Sequence, residues 1–368
     1  MTVDVTGGID PAREYMFAER PQDPEMRDSV SFWVFDDSGR VGLPRIGIEA
    51  VASNWDAHGL QVNLAFADGR VYRLRADGQS APVEGRDGRP TVLGAGPLTF
   101  ECVAPFDTWT VAFDGQAVQT SSEALAAGDK SGPLVDVRFE VEARMAVPPW
   151  IQGAMGDEAA DQLKTTVVGE LMGGARYEQL FRADGTVEVA GHRHPLSGSG
   201  LRIRRQGVRR LEGFWGHCWQ SALFGSGRAF GYIAYPPRPD GQPNYNEGYL
   251  YLGDSAGLIP ARVVEAPWLR RLWPRGEDVS LVLETARGTV RIEGETVLST
   301  HDITDPAELP AEQLEKMANW TFPALQQAGV RYRWDGEEAI GMLERSSPMD
   351  RIEHDGSNAT ADQKTQNT

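Results

Sequence analysis

Cysteine is scarce in this chain, and its scarcity excludes two classes of structural site. The 368 residues contain two cysteines, Cys102 and Cys218. Two cysteines cannot form a disulfide framework or a four-cysteine zinc site. The first residues show no basic segment followed by an apolar one, and no apolar run reaches membrane-spanning length. We therefore expect a cytoplasmic protein without a signal peptide and without membrane insertion.

Several motifs that mark cofactor or metal chemistry are also missing. The sequence has no phosphate-binding loop, no dinucleotide fingerprint, no His-Glu-x-x-His motif and no Gly-x-Ser-x-Gly elbow. His192 and His194 would share one face of a strand and could hold a metal, but no third ligand is near them in sequence. Solvated or structural histidines are the favoured interpretation, and His58, His301 and His354 are expected at the surface. We predict that the protein needs no cofactor.

The charge of the chain argues against one class of partner. The formal net charge is -17 and the isoelectric point is about 4.8. An excess of negative charge repels phosphate backbones, so we expect no nucleic acid partner. Solubility is the simplest role for this charge.

Alternation of apolar and charged residues is the strongest structural signal. From Val135 to Met145 the alternation is unbroken, which predicts a strand with one dry and one wet face. Similar patterns recur, and Asp-Gly pairs, which favour tight hairpin turns, fall beside them. Few helices are expected, with candidates at 157–172 and at 312–319, the latter extended toward Gln327 and closed by Gly329. The chain is thus predicted to be mainly β, with two consecutive antiparallel barrels or curled sheets. The Asp-Gly pairs are Asp68-Gly69, Asp77-Gly78, Asp114-Gly115, Asp184-Gly185 and Asp335-Gly336.

The patterns divide the chain into four parts. Residues 1–28 are a polar N-terminal extension with a short helical segment after Pro11. Residues 29–174 and 175–345 form the first and second β-barrel domains, and residues 346–368 form a polar tail that is expected to be disordered.

His217 is the histidine with the most informative surroundings. On a strand it would share a face with Trp215 and Trp219, and burial between two tryptophans would suit a general acid or base. A core histidine bonded to backbone is the alternative. Tyrosines follow in the next predicted strands. They form either the wall of a ligand pocket or the ordinary packing of strands, in which tyrosine is common. A basic run consists of Arg202, Arg204, Arg205, Arg209 and Arg210. We interpret this run as a solvated face. One arginine that points inward could pair with Glu178 or with a substrate oxygen.

Several segments resemble bacterial proteins related to carotenoid hydratases. This resemblance implies two consecutive lipocalin-like β-barrels, in a superfamily whose members hydrate isoprenoid double bonds or assist cycloadditions of polyketides. One departure concerns the acid–base pair, because relatives carry Asp-His soon after the arginine. Here the nearest match is Gly216-His217, with glycine in the place of aspartate. The segments are Tyr177-Glu178-Gln179, Gly185-Thr186-Val187-Glu188-Val189, Gly198-x-Gly200-x-Arg202, Gly207-x-Arg209 and Ile340-Gly341-Met342-Leu343-Glu344-Arg345.

Two functions follow from these observations. The first is a cofactor-free enzyme, a hydro-lyase or isomerase, that hydrates, dehydrates, isomerises or cyclises a hydrophobic terpenoid, steroid or polyketide. In it His217 acts as acid or base, Glu178 as its partner and Arg202 as a clamp for a substrate oxygen. The second is a non-catalytic carrier of a hydrophobic small molecule. The residues predicted to bind the substrate are Trp215, Trp219, Gln220, Tyr177 and Tyr249.

Overall fold

The structure is a computed structural model, and it consists of two β units packed against each other. It describes residues 4–166, 168–169, 174–210, 215–237, 241–253, 257–303 and 323–353. The first unit contains β1 Met26–Asp36, β2 Val41–Val51, β3 Ala57–Phe66, β4 Arg70–Gln79, β5 Val92–Ala95, β6 Leu98–Ala104, β7 Thr108–Ser121, β8 Leu134–Met145, β9 Trp150–Ile151, β10 Ala175–Val189 and β11 His192–Val208. The second contains β12 His217–Leu223, β13 Ala229–Ala234, β14 Asn246–Tyr251, β15 Ile259–Glu265, β16 Leu281–Thr285, β17 Gly288–Asp302, β18 Pro323–Trp334 and β19 Glu337–Pro348.

The first unit is an antiparallel sheet that curls on itself. Its strand order is β4-β3-β2-β1-β11-β10-β8-β7-β6-β5, and β9 pairs with β10. Residues Arg70–Arg73 of β4 also pair with Val118–Ser121 of β7, so eight strands form a closed ring. The second unit, β12 to β19, is a closed antiparallel barrel. The prediction of a mainly β chain with two consecutive barrels or curled sheets is therefore confirmed.

Helices are few among the described residues. They are α1 Ser122–Ala126 and α2 Asp157–Thr165, with 3-10 turns at Pro11–Glu14, Ala52–Asn54 and Met349–Arg351. α2 lies within the predicted helix 157–172 and ends earlier. The predicted helix at 312–319 lies outside the described residues, and its extension toward Gln327 is wrong because Pro323–Trp334 form β18, which pairs with β17 and β19. No helix in the described ranges is long and apolar enough to cross a membrane.

The change from the first unit to the second lies between Val208 and His217, not at residue 174 as the sequence suggested. β10 and β11 belong to the first sheet because β11 pairs with β1 along its length, from Met26 opposite Val208 to Asp36 opposite Gly198. The polar tail also begins later than residue 346, since β19 continues to Pro348.

The turn prediction from Asp-Gly pairs is correct at two positions. Asp68-Gly69 and Asp335-Gly336 each connect two neighbouring strands, and Gly69 and Gly336 have positive φ. The other three pairs lie inside strands. At Gly185 an added Cβ would lie 2.2 Å from the Glu140 carbonyl oxygen, so this glycine permits the close approach of β8 rather than a turn.

Alternation along the strands divides most of the buried apolar residues into three large cores, and Leu269, Ala324 and Ile352 form a small fourth cluster. On β1, Phe32 and Val34 belong to the first core, inside the first unit, whereas Trp33 and Phe35 belong to the interface core between the units. A second core fills the closed barrel. The interface core combines Trp33, Phe35, Leu180, Leu201 and Ile203 with Trp219, Leu223, Ile233, Tyr249 and Met342.

Candidate functional site

Two cavities share part of their walls: the larger is lined by residues of the first unit, and the smaller is lined by residues of both units. The larger, here called the outer groove, has a volume of about 430 Å³. The smaller, called the inner chamber, has a volume of about 60 Å³. Arg45, Arg205 and Arg209 line both. The outer groove is lined by Ser29, Ser31, Arg45, Gly47, Ile48, Glu49, Gly59, Leu60, Gln61, Arg75, Ala76, Asp77, Arg205 and Arg209. The inner chamber is lined by Trp33, Arg45, Arg176, Ile203, Arg205, Arg209, His217, Trp219, Ile233, Tyr235 and Glu344.

A histidine–carboxylate pair lies in the wall of the inner chamber. His217, on β12, places Nε2 3.4 Å from Oε1 of Glu344 on β19. Its Nδ1 is 2.7 Å from the Ser346 hydroxyl oxygen. β12 and β19 are antiparallel neighbours, with His217 opposite Ser346 and Trp219 opposite Glu344, so the pairing register fixes the imidazole between these two side chains.

Glu344 is held as a carboxylate. Burial alone would raise its pKa, but the Arg45 guanidinium and His217, with a hydrogen bond from Gln327, outweigh burial and lower the pKa to about 2. The Gln327 amide donates to it at 2.6 Å, and Nη1 of Arg45 lies 3.3 Å away. A permanent negative charge beside His217 is the arrangement that orients an imidazole for proton transfer.

Glycine before His217 explains why the acid of the pair comes from another strand. Gly216 adopts a φ of 123°, in the region that favours glycine, and an added Cβ would lie 2.6 Å from the Ser346 carbonyl oxygen. An aspartate at this position would therefore displace β19. Glu344 supplies the carboxylate instead, from the segment that the resemblance had already marked.

Arg45 reaches Glu344 because of a local irregularity in β2. Its φ is 75°, which is rare for a residue with a side chain, and the pairing of β2 with β3 shifts register between Gly42 and Gly47. The Asn63 amide donates to the Pro44 carbonyl oxygen at 2.9 Å and holds the bulge. The guanidinium then lies over the Trp33 ring, 5.4 Å from its centroid.

Glu178 lies behind the wall of the inner chamber. Its carboxylate accepts hydrogen bonds from Arg176 at 2.6 Å, from the Trp219 indole at 3.1 Å and from Gln152. Burial raises its pKa to about 7, although Arg176, Trp219 and Gln152 each oppose the rise. Glu178 thus changes charge near neutral pH and holds two residues that line the chamber, Arg176 and Trp219.

Aromatic rings and guanidinium groups alternate around the chamber. The Trp219 and Trp33 rings meet edge to face, with centroids 4.9 Å apart. Arg176 lies over Trp219 at 5.3 Å. These contacts join side chains from both units, because Trp33 and Arg176 belong to the first and Trp219 to the second. The inner chamber is therefore formed where the two units meet.

The structure brings together some of the predicted site residues. His217 and Trp219 share a face as predicted, and both line the inner chamber with Glu178 behind them. That face lies between the units and not inside a barrel. Trp215 is half-buried and does not line the chamber, and Tyr249 lies in the interface core, where its ring meets Trp150.

The other predicted residues point away from the cavities. Arg202 is buried within the first unit, where Nη1 lies 2.7 Å from Glu14 and the guanidinium lies over Trp109. Tyr177 donates to Glu14 as well. Gln220 faces the core of the closed barrel and donates to the Tyr332 hydroxyl at 2.9 Å. Alternation explains these orientations, because neighbouring residues on a strand face opposite sides of the sheet. Tyr177 is the neighbour of Glu178, and Gln220 is the neighbour of Trp219.

Two predictions about polar residues are wrong. His58 and His301 are buried, not at the surface: Nδ1 of His58 lies 2.9 Å from the Gly94 carbonyl oxygen, and burial lowers the pKa of His301 to about 4. The basic run is not a solvated face, since Arg202, Arg204 and Arg205 are buried. Arg204 pairs with Asp28. The described residues contain no group of three or more His, Cys, Asp or Glu side chains able to hold a metal ion.

Comparisons with known proteins agree with the fold. The chain matches the family described as "Domain of unknown function (DUF7064)" over residues 10–349. Comparison with curated proteins finds no match. Among solved structures, an AttH protein from Nitrosomonas europaea is 14% identical over 91% of this chain and 99% of its own, with a TM-score of 0.50.

Two further solved structures align with most of the chain. CghA, solved with Sch210972, is 12% identical over 88% of this chain and 89% of its own, with a TM-score of 0.53. Kievitone hydratase from Nectria haematococca is 8% identical over 94% and 95%, with a TM-score of 0.46. The likeness to AttH and CghA confirms the lipocalin-like double-barrel fold that the sequence resemblance implied.

Proposed function

The chain belongs to the family described as a domain of unknown function (DUF7064), and from its own residues we propose that it is a cofactor-free enzyme that moves protons on a small, largely hydrophobic substrate. The reaction is a hydration, dehydration, isomerisation or cyclisation, and the substrate is a terpenoid, steroid or polyketide that enters by the outer groove. The observation that carries this proposal is the His217–Glu344 pair in the wall of the inner chamber.

Each part of the site has a role in such chemistry. His217 donates or accepts the proton, and Glu344 and Ser346 hold its ring. A positioned general acid or base contributes about 10²–10⁴-fold to a rate. Trp33 and Trp219 provide apolar walls for the substrate body. Glu178 acts as a positioning residue, because it holds Trp219 and Arg176 rather than lining the chamber.

The architecture supports a small-molecule substrate. The outer groove has the volume of an ordinary ligand site. The similar structure of CghA was solved with Sch210972, which supports a ligand-binding role for this fold. The inner chamber is much smaller, which suits the entry of the reacting end of a substrate and not of its whole body.

Proton transfer to carbon can be detected before the substrate is known. Purified protein is incubated in D₂O with a panel of terpenoid, steroid and polyketide compounds, and products are analysed by mass spectrometry. We expect deuterium incorporation, or gain or loss of water, for at least one class. His217→Gln should reduce the rate by about 10²–10⁴-fold, since glutamine cannot exchange protons near neutral pH.

His192→Gln is the matched control, because His192 is an exposed histidine on β11 outside both cavities. It should leave the rate unchanged. Full activity of a folded His217→Gln protein would remove the histidine from the mechanism. If compounds are retained on the wild-type protein but recovered unlabelled and unchanged, the protein is the carrier that the sequence left as the alternative.

A further inference from the structure

Arg205 is a buried cation that forms no ion pair within the described ranges, although the Glu49 and Glu178 carboxylates attract it without direct contact. The residue is 8% exposed. Its guanidinium forms no hydrogen bond or ion pair with any described residue, and its Nε is buried without an acceptor there. Burying a charge is costly unless the charge is paired, so such an arginine is rare as a purely structural residue. Arg205 lines both the outer groove and the inner chamber.

The groups around Arg205 make its charge still less favourable. Burial, and then the guanidinium groups of Arg209 and Arg176, lower the pKa of Arg205 well below its usual value, and the attraction of the Glu49 carboxylate only partly opposes this fall. Glu49 also lines the outer groove, but it lies 3.1 Å from Arg27, with which it forms an ion pair. Arg45 pairs with Glu344. A concentration of positive charge is therefore buried in a protein whose net charge is -17.

An anion bound in the groove would remove this imbalance. We propose that the substrate carries a carboxylate, and that Arg205 binds it at the junction of the outer groove and the inner chamber. This inference rests on the proposed function for the location of the substrate, but it does not depend on turnover. The apolar body of the substrate lies against the tryptophans of the chamber, and its charged end is held by the planar guanidinium fork, which matches two carboxylate oxygens.

Charge in the groove favours a singly charged anion over a phosphate dianion. Glu49 and Asp77 line the outer groove together with Arg45, Arg75, Arg205 and Arg209. Arg45 and Arg75 already pair with Glu344 and Asp302. Glu49 and Asp77 therefore offset much of the positive charge that is left and would repel a second negative charge on the ligand. A carboxylate has one charge and a planar shape, whereas a phosphate monoester carries nearly two charges at neutral pH.

Calorimetric titration with matched probes tests the proposal. The probes are 2-naphthoate, its uncharged amide 2-naphthamide, and 2-naphthyl phosphate. Wild-type protein should bind 2-naphthoate at least about tenfold more tightly than the amide, because a charge-assisted hydrogen bond is lost with the amide. It should also prefer 2-naphthoate to the phosphate. Equal binding of acid and amide, or tighter binding of the phosphate, would overturn the proposal.

Substitution of Arg205 gives a second, independent test. Arg205→Met should abolish the preference for the acid over the amide, and Arg205→Lys should retain part of it. Arg205 forms no ion pair or side-chain hydrogen bond with a described residue, and burial and the neighbouring guanidinium groups disfavour its charge more than Glu49 favours it. Arg205→Met should therefore melt at the same or a higher temperature than wild type in the absence of ligand. A lower melting temperature would indicate a structural partner and contradict the proposal.

Arg138→Met is the matched control, since Arg138 is an exposed arginine on β8 outside both cavities. It should keep the wild-type preference for 2-naphthoate. The binding titrations and the proton-exchange experiment together distinguish a failure of the carboxylate site from a failure of the proposed enzyme. Selective binding of 2-naphthoate without proton exchange on any compound would refute the enzyme and keep the carboxylate site. Proton exchange without selective binding would refute the carboxylate site alone.

Discussion

At the scale of single residues, two buried carboxylates of this site differ in pKa because their partners differ. Glu344 has a guanidinium, an imidazole and an amide around it, and its pKa is lowered to about 2 despite burial. Glu178 has Arg176 as its ion-pair partner, two neutral donors and a weaker attraction from Arg205, and burial outweighs them and raises its pKa to about 7. Of these two carboxyl groups, only Glu178 changes charge in the neutral range. Its titration should therefore contribute to the pH dependence of the free energy of unfolding near neutral pH.

The sign of this dependence follows from the direction of the shift. The ordinary value for glutamate is 4.5. Between 4.5 and 7 the folded protein retains a proton on Glu178 that the unfolded chain releases. The stabilisation is complete below pH 4.5 and is lost as pH rises through 7, a change of about 3 kcal/mol in the free energy of unfolding.

Urea unfolding at pH 5 and pH 8 measures this contribution. The loss of stability between the two pH values should be about 2.5 kcal/mol smaller in Glu178→Gln than in wild type, since glutamine does not titrate and a small part of the change already lies below pH 5. Glu140→Gln is the matched control at an exposed carboxyl group on β8 and should behave as wild type. An unchanged pH dependence in Glu178→Gln would contradict the assignment of a raised pKa to this residue.

At the scale of elements, the N-terminal segment forms part of the first unit instead of a loose extension. The 3-10 turn Pro11–Glu14 places Glu14 within the first unit, where Arg202 donates to both carboxylate oxygens at 2.7 and 2.8 Å. The Trp109 indole and the Phe106 amide also donate to it. Arg202 is thus satisfied by a structural partner, which removes the role of substrate clamp that the sequence suggested.

Removing one partner of this ion pair should be far more costly than removing both charges. Glu14→Gln leaves Arg202 as an uncompensated buried cation, and we expect a loss of about 3–5 kcal/mol in the free energy of unfolding. The double variant Glu14→Gln/Arg202→Met removes the charge and should recover part of that loss. Chemical denaturation of wild type and the two variants measures both. A double variant less stable than Glu14→Gln would show that packing of Arg202, and not its charge, stabilises the unit.

Alternation of apolar and polar residues predicted where a strand lies and which of its side chains share a face. It did not predict what that face packs against. It correctly placed a strand over Val135–Met145 and placed His217 and Trp219 on one face, because both depend on local alternation. It could not say whether that face lies inside a barrel or between two barrels. Alternation is the same in both arrangements, and only the packing of the two units distinguishes them.

The residues missed by sequence reasoning are those positioned by distant parts of the chain. Glu344 lies 127 positions from His217 in the chain, and only the register of β12 with β19 brings them together. Arg205 lies in a run of arginines that is indistinguishable from a solvated face until β11 is paired with β1. Gly216 was the available signal, since a glycine in place of the expected acid implied that another residue must supply it.

At the scale of the whole molecule, the inner chamber depends on the interface core, because this core packs the two units against each other. Trp219 belongs to the second unit, yet its main contacts are with the first: Trp33 at 4.9 Å between ring centroids, Arg176 over its ring and Glu178 as acceptor of its indole hydrogen. A side chain that packs in this way couples the stability of one unit to the other. We therefore expect wild-type protein to unfold in a single cooperative thermal transition, with equal calorimetric and van't Hoff enthalpies.

Trp219→Ala tests this coupling. The change leaves a cavity at the interface and removes the indole donor to Glu178, so we expect a loss of about 3–5 kcal/mol and a calorimetric trace that broadens or divides into two transitions. Trp273→Ala is the matched control, because Trp273 is 39% exposed and lines neither cavity. It should leave one transition near the wild-type temperature. Two transitions already in wild type would show that the units fold independently, and one undisturbed transition in Trp219→Ala would show that other residues of the interface core hold them together.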